Sequence, residues 1–198
     1  MARLLHTVVL VLLLSSAGQA QTTTTTISIP QIPLTKLEQL QSTIGAPIVR
    51  SFTRIGDMSG SLAKGGGTVE LQALELTNVS SGERQYGLAI EVSEGGKAER
   101  TSRSLIDYEE VNGLLDGIDY ISKVDSKTVQ FDSYRAEYST RDYLRVSVFT
   151  NLSGREPSIA IVSGLNSCTV NFSINDLMKF REYVVMGKAK IEAAMKAK

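Results

Sequence analysis

The feature that most constrains the fold is a series of strand-like segments followed by a helix-like segment, and this series occurs twice along the chain. Residues 85–93 alternate polar and apolar side chains, the pattern of a half-buried β-strand, and Gly95-Gly96 lies in a typical hairpin turn. Val111, Leu114 and Ile118 then follow at helical spacing. Since such a helix has one apolar stripe to bury, the order predicts a helix packed on one face of an antiparallel sheet.

The same order recurs in the second half of the chain. Strands are predicted at residues 48–55, 68–77, 85–93, 98–106, 129–139, 143–150, 158–163 and 169–172, and helices at 107–122 and from 173 onward. A short helix, opened by a capping box at Thr35 and Glu38, precedes them. The predicted fold class is α+β, with two ββββα repeats at about 46–124 and 128–198. Their curved antiparallel sheet is expected to pack against two long helices.

This element order resembles the topology of the Whirly and PUR families of single-stranded nucleic-acid binders. The resemblance lies in the order of the strands and helices and involves no shared motif. It implies a related architecture, with single-stranded nucleic-acid binding as one functional alternative.

The N-terminal segment reads as a secretory signal peptide, residues 1–20. Arg3 precedes an apolar run at 8–14, and small residues lead to a cleavage site near Ala20. A Thr/Pro-rich flexible tether, residues 21–34, follows, and residues 35–198 form a single predicted domain. We therefore expect an exported protein, periplasmic or extracellular after cleavage.

Histidine is missing from the predicted mature chain, because His6 lies in the signal peptide. Catalytic triads of the Ser-His-Asp or Cys-His type are thereby excluded. The single cysteine, Cys168, has no intrachain disulfide partner, and one cysteine with carboxylates alone would be an unusual zinc site. We predict no metal, no cofactor and no disulfide framework.

Charge limits the possible partners. Lysine plus arginine equals aspartate plus glutamate at 21 each, so there is no cationic excess of the kind that nucleic acids and anionic membranes attract. Nucleic acid is therefore an unlikely partner, and no membrane association is expected. A protein partner, self-association or a small ligand remain open.

The best candidate surface surrounds the hairpin turn at residues 140–142, where aromatic and cationic residues gather. If Leu144 and Val148 face the core, the side chains between and beside them face outward. The candidate binding residues are Tyr138, Arg141, Tyr143, Arg145 and Phe149. Aromatic side chains interleaved with arginine can form a binding surface, although they also form ordinary cross-strand pairs.

Two glycines four residues apart, Gly113 and Gly117, interrupt the first long helix. Each costs about 1 kcal/mol relative to alanine, so a close approach of another element is expected to compensate. We predict internal packing rather than a dimer contact.

These observations favour a non-catalytic exported protein that binds a protein or a small ligand through a sheet face. One alternative is a histidine-free hydrolase that uses two carboxylates about 5–10 Å apart. Another is the single-stranded nucleic-acid binder that the element order implies.

Overall fold

The periodic segments form two four-stranded antiparallel sheets and three α-helices in the part of the chain that the structure describes. The computed structural model describes residues 34–61, 65–96, 100–125, 127, 129–150, 157–165 and 167–197. The predicted signal peptide, and all of the tether except residue 34, lie outside the described residues.

The elements in chain order are α1 (Lys36–Gln41), β1 (Ile48–Ser59), β2 (Gly67–Asn78), β3 (Arg84–Glu94), β4 (Arg100–Asp107), α2 (Val111–Ile121), β5 (Arg135–Ser139), β6 (Arg145–Phe149), β7 (Ser158–Ser163), β8 (Cys168–Ser173) and α3 (Asp176–Lys196). The protein is α+β.

Sheet A is a meander in the order β1-β2-β3-β4, and apolar side chains are buried on both of its faces. On one face, Leu71 and Ile90 join the main core together with α2, α3 and sheet B. On the other face, Leu76 and Leu105 join a smaller cluster with Leu37 of α1. The apolar residues on both sides of β2 therefore reflect two-sided burial.

Sheet B is a second meander, in the order β5-β6-β7-β8. Its first strand begins at Arg135, later than the predicted start at residue 129. Tyr134 and Thr150 extend the ladder by one pair, since the backbone N–H of Thr150 donates to Tyr134 O at 3.1 Å. Phe131 is 83% exposed, so the apolar residues before Tyr134 do not continue the strand into the core.

Two details differ from the expected architecture. The strands form two separate sheets in place of one curved sheet, because β4 pairs with β3 and β5 pairs with β6 without a ladder between β4 and β5. Among the helices of the described residues, only one is long: α3 has 21 residues and α2 has 11. An 11-residue helix is about 16 Å long, which suffices to cross the short strands of sheet B.

The glycine spacing in α2 is explained by internal packing, as predicted. A Cβ atom on Gly117 would lie 2.2 Å from Cδ2 of Tyr138, and one on Gly113 would lie 2.9 Å from the Tyr138 hydroxyl. The helix backbone therefore rests directly on the aromatic ring of β5.

The helix α1 is docked by a carboxylate that the sequence assigned to another helix. The sequence predicted a helix over residues 107–122, and Asp107 at its start has the residue type of an N-cap, but its side chain makes no capping bond there. Its Oδ2 accepts from the backbone N–H of Lys36 at 2.8 Å, and its Oδ1 accepts from that of Leu37 at 3.1 Å. Because the first N–H groups of a helix have no intrahelical partner, this buried carboxylate fixes α1 against sheet A.

Candidate functional site

The predicted hairpin surface is divided among different sides of sheet B. Arg145 and Phe149 lie on the outer face of β6, both half-buried. The guanidinium of Arg135 lies 5.1 Å from the centroid of the Phe149 ring, and Nη2 of Arg145 donates to Ser167 Oγ at 2.9 Å. These two predicted residues share a face, and each already has a partner.

The other three predicted residues lie elsewhere. Tyr138 faces the core beneath α2. Tyr143 adopts a left-handed backbone conformation, with φ of 56°, in the turn before β6. Arg141 points toward α1, with Nη1 3.5 Å from Asp107 Oδ2, and its backbone N–H donates to Glu110 Oε1. The structure therefore does not bring the five residues together as one surface.

A different cleft contains the more unusual chemistry. It lies on the face of sheet A that α1 partly covers, and has a volume of about 410 Å³. We call it the α1–β4 cleft; its lining residues are Glu38, Gln41, Ser42, Arg50, Arg103, Leu105 and Asp142. They come from α1 and the residue after it, from β1, from β4 and from the β5–β6 turn, so early and late parts of the chain meet at this cleft.

Two guanidinium groups converge on this cleft. Arg50 of β1 donates from Nη2 to Gln41 Oε1 at 3.0 Å, and Arg103 of β4 donates from Nη2 to Glu91 Oε2 at 2.6 Å. Burial, and then the positive charge of Arg103, lower the pKa of the Arg50 guanidinium. The two cations are thus close enough to repel one another, and an anion in the cleft would offset that repulsion.

A pair of carboxyl groups lines the same cleft. Asp142 Oδ2 accepts from the backbone N–H of Leu105 at 2.6 Å. Burial raises the pKa of Asp142 to about 6, the Leu105 hydrogen bond opposes the rise, and the charge and hydrogen bond of Glu38 add to it. Asp142 is therefore partly protonated in mildly acidic solution.

The wall that carries Glu38 is held in place by local and long-range bonds. Glu38 Oε2 accepts from the backbone N–H of Thr35 at 2.7 Å and from its Oγ1 at 3.0 Å, completing the predicted capping box. Leu37 and Leu40 are buried in the smaller core cluster beneath. The short helix is thus anchored by capping, by Asp107 and by apolar packing.

Sequence reasoning missed this cleft. Glu38 was read only as a capping residue and Asp142 only as a turn residue, and Arg50 and Arg103 had no assigned role. Strand alternation places Arg50 on the same side of β1 as Ile48 and Phe52, and Arg103 on the same side of β4 as Leu105. Nothing in the sequence indicates that β1 and β4 present these side chains to one cleft under α1.

Among the described residues, no group of three or more histidine, cysteine, aspartate or glutamate side chains is placed to hold a metal ion. Within the same residues, no helix is long and apolar enough to cross a bilayer.

Comparison with known protein families found no family that matches the sequence, and comparison with curated proteins found no match.

Proposed function

We propose that this protein is an exported, non-catalytic binding module and that the α1–β4 cleft binds a small anionic ligand. The observation that carries the proposal is the convergence of Arg50 and Arg103 on one cleft. A guanidinium group is a planar fork of N–H donors that matches carboxylate and phosphate oxygens. Two of them beside one cavity provide charge and directional donors for an anion.

The carboxyl pair supports binding over hydrolysis. Retaining and inverting glycosidases place their two carboxyl groups on either side of the scissile bond, about 5–10 Å apart. Glu38 and Asp142 instead each accept a backbone hydrogen bond, from Thr35 and from Leu105, so both carboxyl groups are engaged in holding the walls of the cleft. They can accept a hydrogen bond from a ligand N–H or O–H group, and so help to orient a ligand whose anionic end lies at the arginines.

The sequence predicted a binding surface on a sheet face around the 140–142 hairpin, which lies on sheet B. The present proposal also uses a sheet face, but places the binding site on sheet A. Arg145 and Phe149 on sheet B are engaged separately, with Ser167 and with Arg135. Arg50 and Arg103 are bonded to Gln41 and Glu91, but both line the same cleft on sheet A. Export remains part of the proposal and depends on the signal-peptide pattern at residues 1–20.

We also propose that the two halves, about 46–124 and 128–198, are a structural repeat. The support is that each four-stranded meander is followed by a helix. The halves differ in helix length. They also differ in capping, because Asp107 binds α1 whereas Ser173 donates from Oγ to Asp176 Oδ2 at 2.8 Å.

The anion proposal is tested by stability measurements on the chain expressed with export and purified from the periplasm. Inorganic phosphate, titrated against chloride at constant ionic strength, should raise the urea midpoint of the wild type, since a ligand that binds only the folded state stabilises it. Arg103→Gln should abolish most of that rise. Arg135→Gln, a neutralised arginine on sheet B, should retain it.

Two outcomes would contradict the proposal. One is a phosphate effect that is absent from the wild type or equal in Arg103→Gln and Arg135→Gln. The other is saturable binding of an eight-nucleotide oligothymidylate with no effect of phosphate, which would favour the nucleic-acid alternative.

A further inference from the structure

The strand β1 has an open hydrogen-bonding edge in the part of the chain that the structure describes. It pairs with β2 on one side, and no described strand pairs with its other side. Pro47 O accepts from the backbone N–H of Val79 at 3.0 Å. Because every second residue of an antiparallel strand bonds to its neighbour, this bond shows which residues of β1 bond to β2. The bonds toward β2 then fall at Val49, Ser51 and Thr53.

The intervening residues of β1 therefore direct their backbone groups away from the sheet. These residues are Ile48, Arg50, Phe52 and Arg54. A bulge follows between Arg54 and Gly56, so the regular open edge is the seven-residue segment before it. An edge of this length can form several backbone hydrogen bonds with an added strand.

The side chains of this edge are unusually exposed for apolar residues. Phe52 is 60% exposed and Val49 is 49% exposed. Phe52 also borders a groove of about 120 Å³ between β1 and α3. The other residues lining the groove include Thr53, Ala73, Lys190 and Ala194. The Phe52 side chain itself lies on the other face of β1, the face that carries α1, because its cross-strand partner Leu74 belongs to the smaller cluster with Leu37. An apolar side chain from an added strand could pack against Phe52 on that face.

Positive charge lies on both sides of the edge. Arg50 lies on the face of β1 that carries α1, and Lys190 lines the groove on the α3 side. Glu75 also lines that groove, but its carboxylate is paired with Arg84 Nη1 at 3.6 Å. Arg54, farther along, is already bound by Asp57 at 2.9 Å and by Glu70 at 3.2 Å. An added strand that carries acidic side chains would therefore gain charge complementarity on either face.

The same charges disfavour a second copy of the chain as the occupant. In a two-fold antiparallel pairing centred on Phe52, Arg50 of one copy lies opposite Arg54 of the other. Like charges directly opposite one another in a sheet are destabilising. The edge therefore matches a segment of different composition better than it matches itself.

We propose that the open edge of β1 binds an extended, acidic segment of a partner protein, which adds as a fifth strand to sheet A. Its backbone pairs with Arg50, Phe52 and Arg54. An apolar side chain packs on Phe52, and acidic side chains lie toward Arg50 and Lys190. Arg50 lines the anion cleft as well as this edge, whereas Phe52 and Lys190 line only the groove beside β1. Variants of Phe52 and Lys190 therefore test this proposal without altering the cleft.

The experiment uses three blocked nine-residue peptides. The acidic peptide alternates valine and threonine and has a glutamate on each side of a central leucine. The lysine peptide has lysines in place of these glutamates. The proline peptide is the acidic peptide with proline in place of the central leucine. We expect the acidic peptide to bind the full chain at least ~10-fold more tightly than the lysine peptide, because charge complementarity favours the right partner. The proline peptide should bind at least as weakly as the lysine peptide, because proline lacks the backbone N–H.

Single variants locate the binding surface. Phe52→Ala and Lys190→Glu should each weaken the acidic peptide, and Lys190→Glu should also reduce the preference over the lysine peptide. Lys196→Glu, an exposed lysine farther along α3, is the matched control and should change neither. Far-ultraviolet circular dichroism and the urea midpoint show that each variant is folded.

Three results of the peptide titrations would overturn the proposal. The first is equal affinity for the acidic and lysine peptides, and the second is an equal loss of affinity for the acidic peptide in Lys190→Glu and Lys196→Glu. The third is no binding of the acidic peptide at millimolar concentration. Dimerisation of the peptide-free chain that Phe52→Ala abolishes would also overturn it, in favour of a second copy. Phosphate binding is measured on the same samples, so a failure of the cleft proposal is recognised separately.

Discussion

The carboxylate of Asp107 accepts a hydrogen bond from the backbone N–H of Leu37, 70 positions earlier in the chain, at 3.1 Å. The bond ties the end of β4 to the start of α1. Since α1 forms one wall of the proposed anion cleft, this long-range cap determines where Glu38 and Gln41 lie. The position of the cleft thus depends on a side chain that is itself 2% exposed.

Replacing Asp107 with alanine should destabilise the fold. The change leaves two helix N–H groups without their acceptor in a buried setting, which costs about 1–3 kcal/mol. Asp107→Asn keeps one acceptor oxygen and should lose less. The measurement is the free energy of unfolding in urea, and an unchanged midpoint for the alanine variant would contradict the assigned capping role.

The stability of the protein should fall as pH rises through about 6. The folded-state pKa of Asp142 is raised to about 6, above the unfolded value of about 3.9. The folded state therefore binds more protons than the unfolded state between these values, so the contribution is fully present below about pH 4 and is lost above about pH 6.

Asp142→Asn tests this pH dependence. The asparagine amide oxygen can still accept from the backbone N–H of Leu105, but it does not titrate. Between pH 4.5 and pH 7.5 the variant should gain about 1 kcal/mol of unfolding free energy relative to the wild type, with allowance for solvent screening. Asp132→Asn, at an exposed position, is the control; equal behaviour of the two variants would contradict the account.

The packing of α2 on β5 predicts opposite responses of its two glycines. Gly117→Ala places a methyl group 2.2 Å from the Tyr138 ring and should cost about 1–3 kcal/mol through overpacking. Gly113→Ala meets only the hydroxyl end of that side chain, at 2.9 Å, and gains helix propensity of up to about 1 kcal/mol. It should therefore be tolerated.

A double-mutant cycle identifies the partner in this contact. Tyr138→Ala removes the ring, so Gly117→Ala should cost much less in that background. The readout is the urea midpoint of the two single variants and the double variant. Additive effects would show that the Gly117 methyl group meets some other obstacle.

The outer face of sheet B should not take part in anion binding. Arg145→Ala and Phe149→Ala remove the hydrogen bond to Ser167 and the ring beneath Arg135. An exposed cation–π contact is worth about 0.5–1 kcal/mol, so a modest loss of stability is expected. Phosphate binding should be unchanged, and a loss of binding in either variant would return the site to the predicted hairpin surface.

Local signals in the sequence predicted much of the secondary structure. The alternation at 85–93 gave β3, whose bounds are Arg84–Glu94, and the capping box at Thr35 gave the start of α1. Both depend on residues within a few positions of one another. The close packing at Gly117 was also predictable, because a glycine within a helix needs a compensating contact.

The features that sequence reasoning missed are set by distant residues. Asp107 satisfies the local pattern of an N-cap for α2, yet its carboxylate binds α1, because the folded chain brings that helix end alongside. The division into two sheets depends on β4 and β5 not pairing. The cleft requires Arg50 and Arg103, on the two edge strands of sheet A, to reach one cavity.

The most direct test of the central claim observes the two arginines themselves. Nitrogen-15 correlation spectra of the arginine Nε–H groups are recorded at pH 5.5 while inorganic phosphate is added at constant ionic strength. The account predicts that the signals of Arg50 and Arg103 shift together along one saturable curve while those of Arg135 and Arg145 stay still. Equal, non-saturating shifts of all four signals, or shifts confined to Arg135 and Arg145, would contradict an anion site in the α1–β4 cleft.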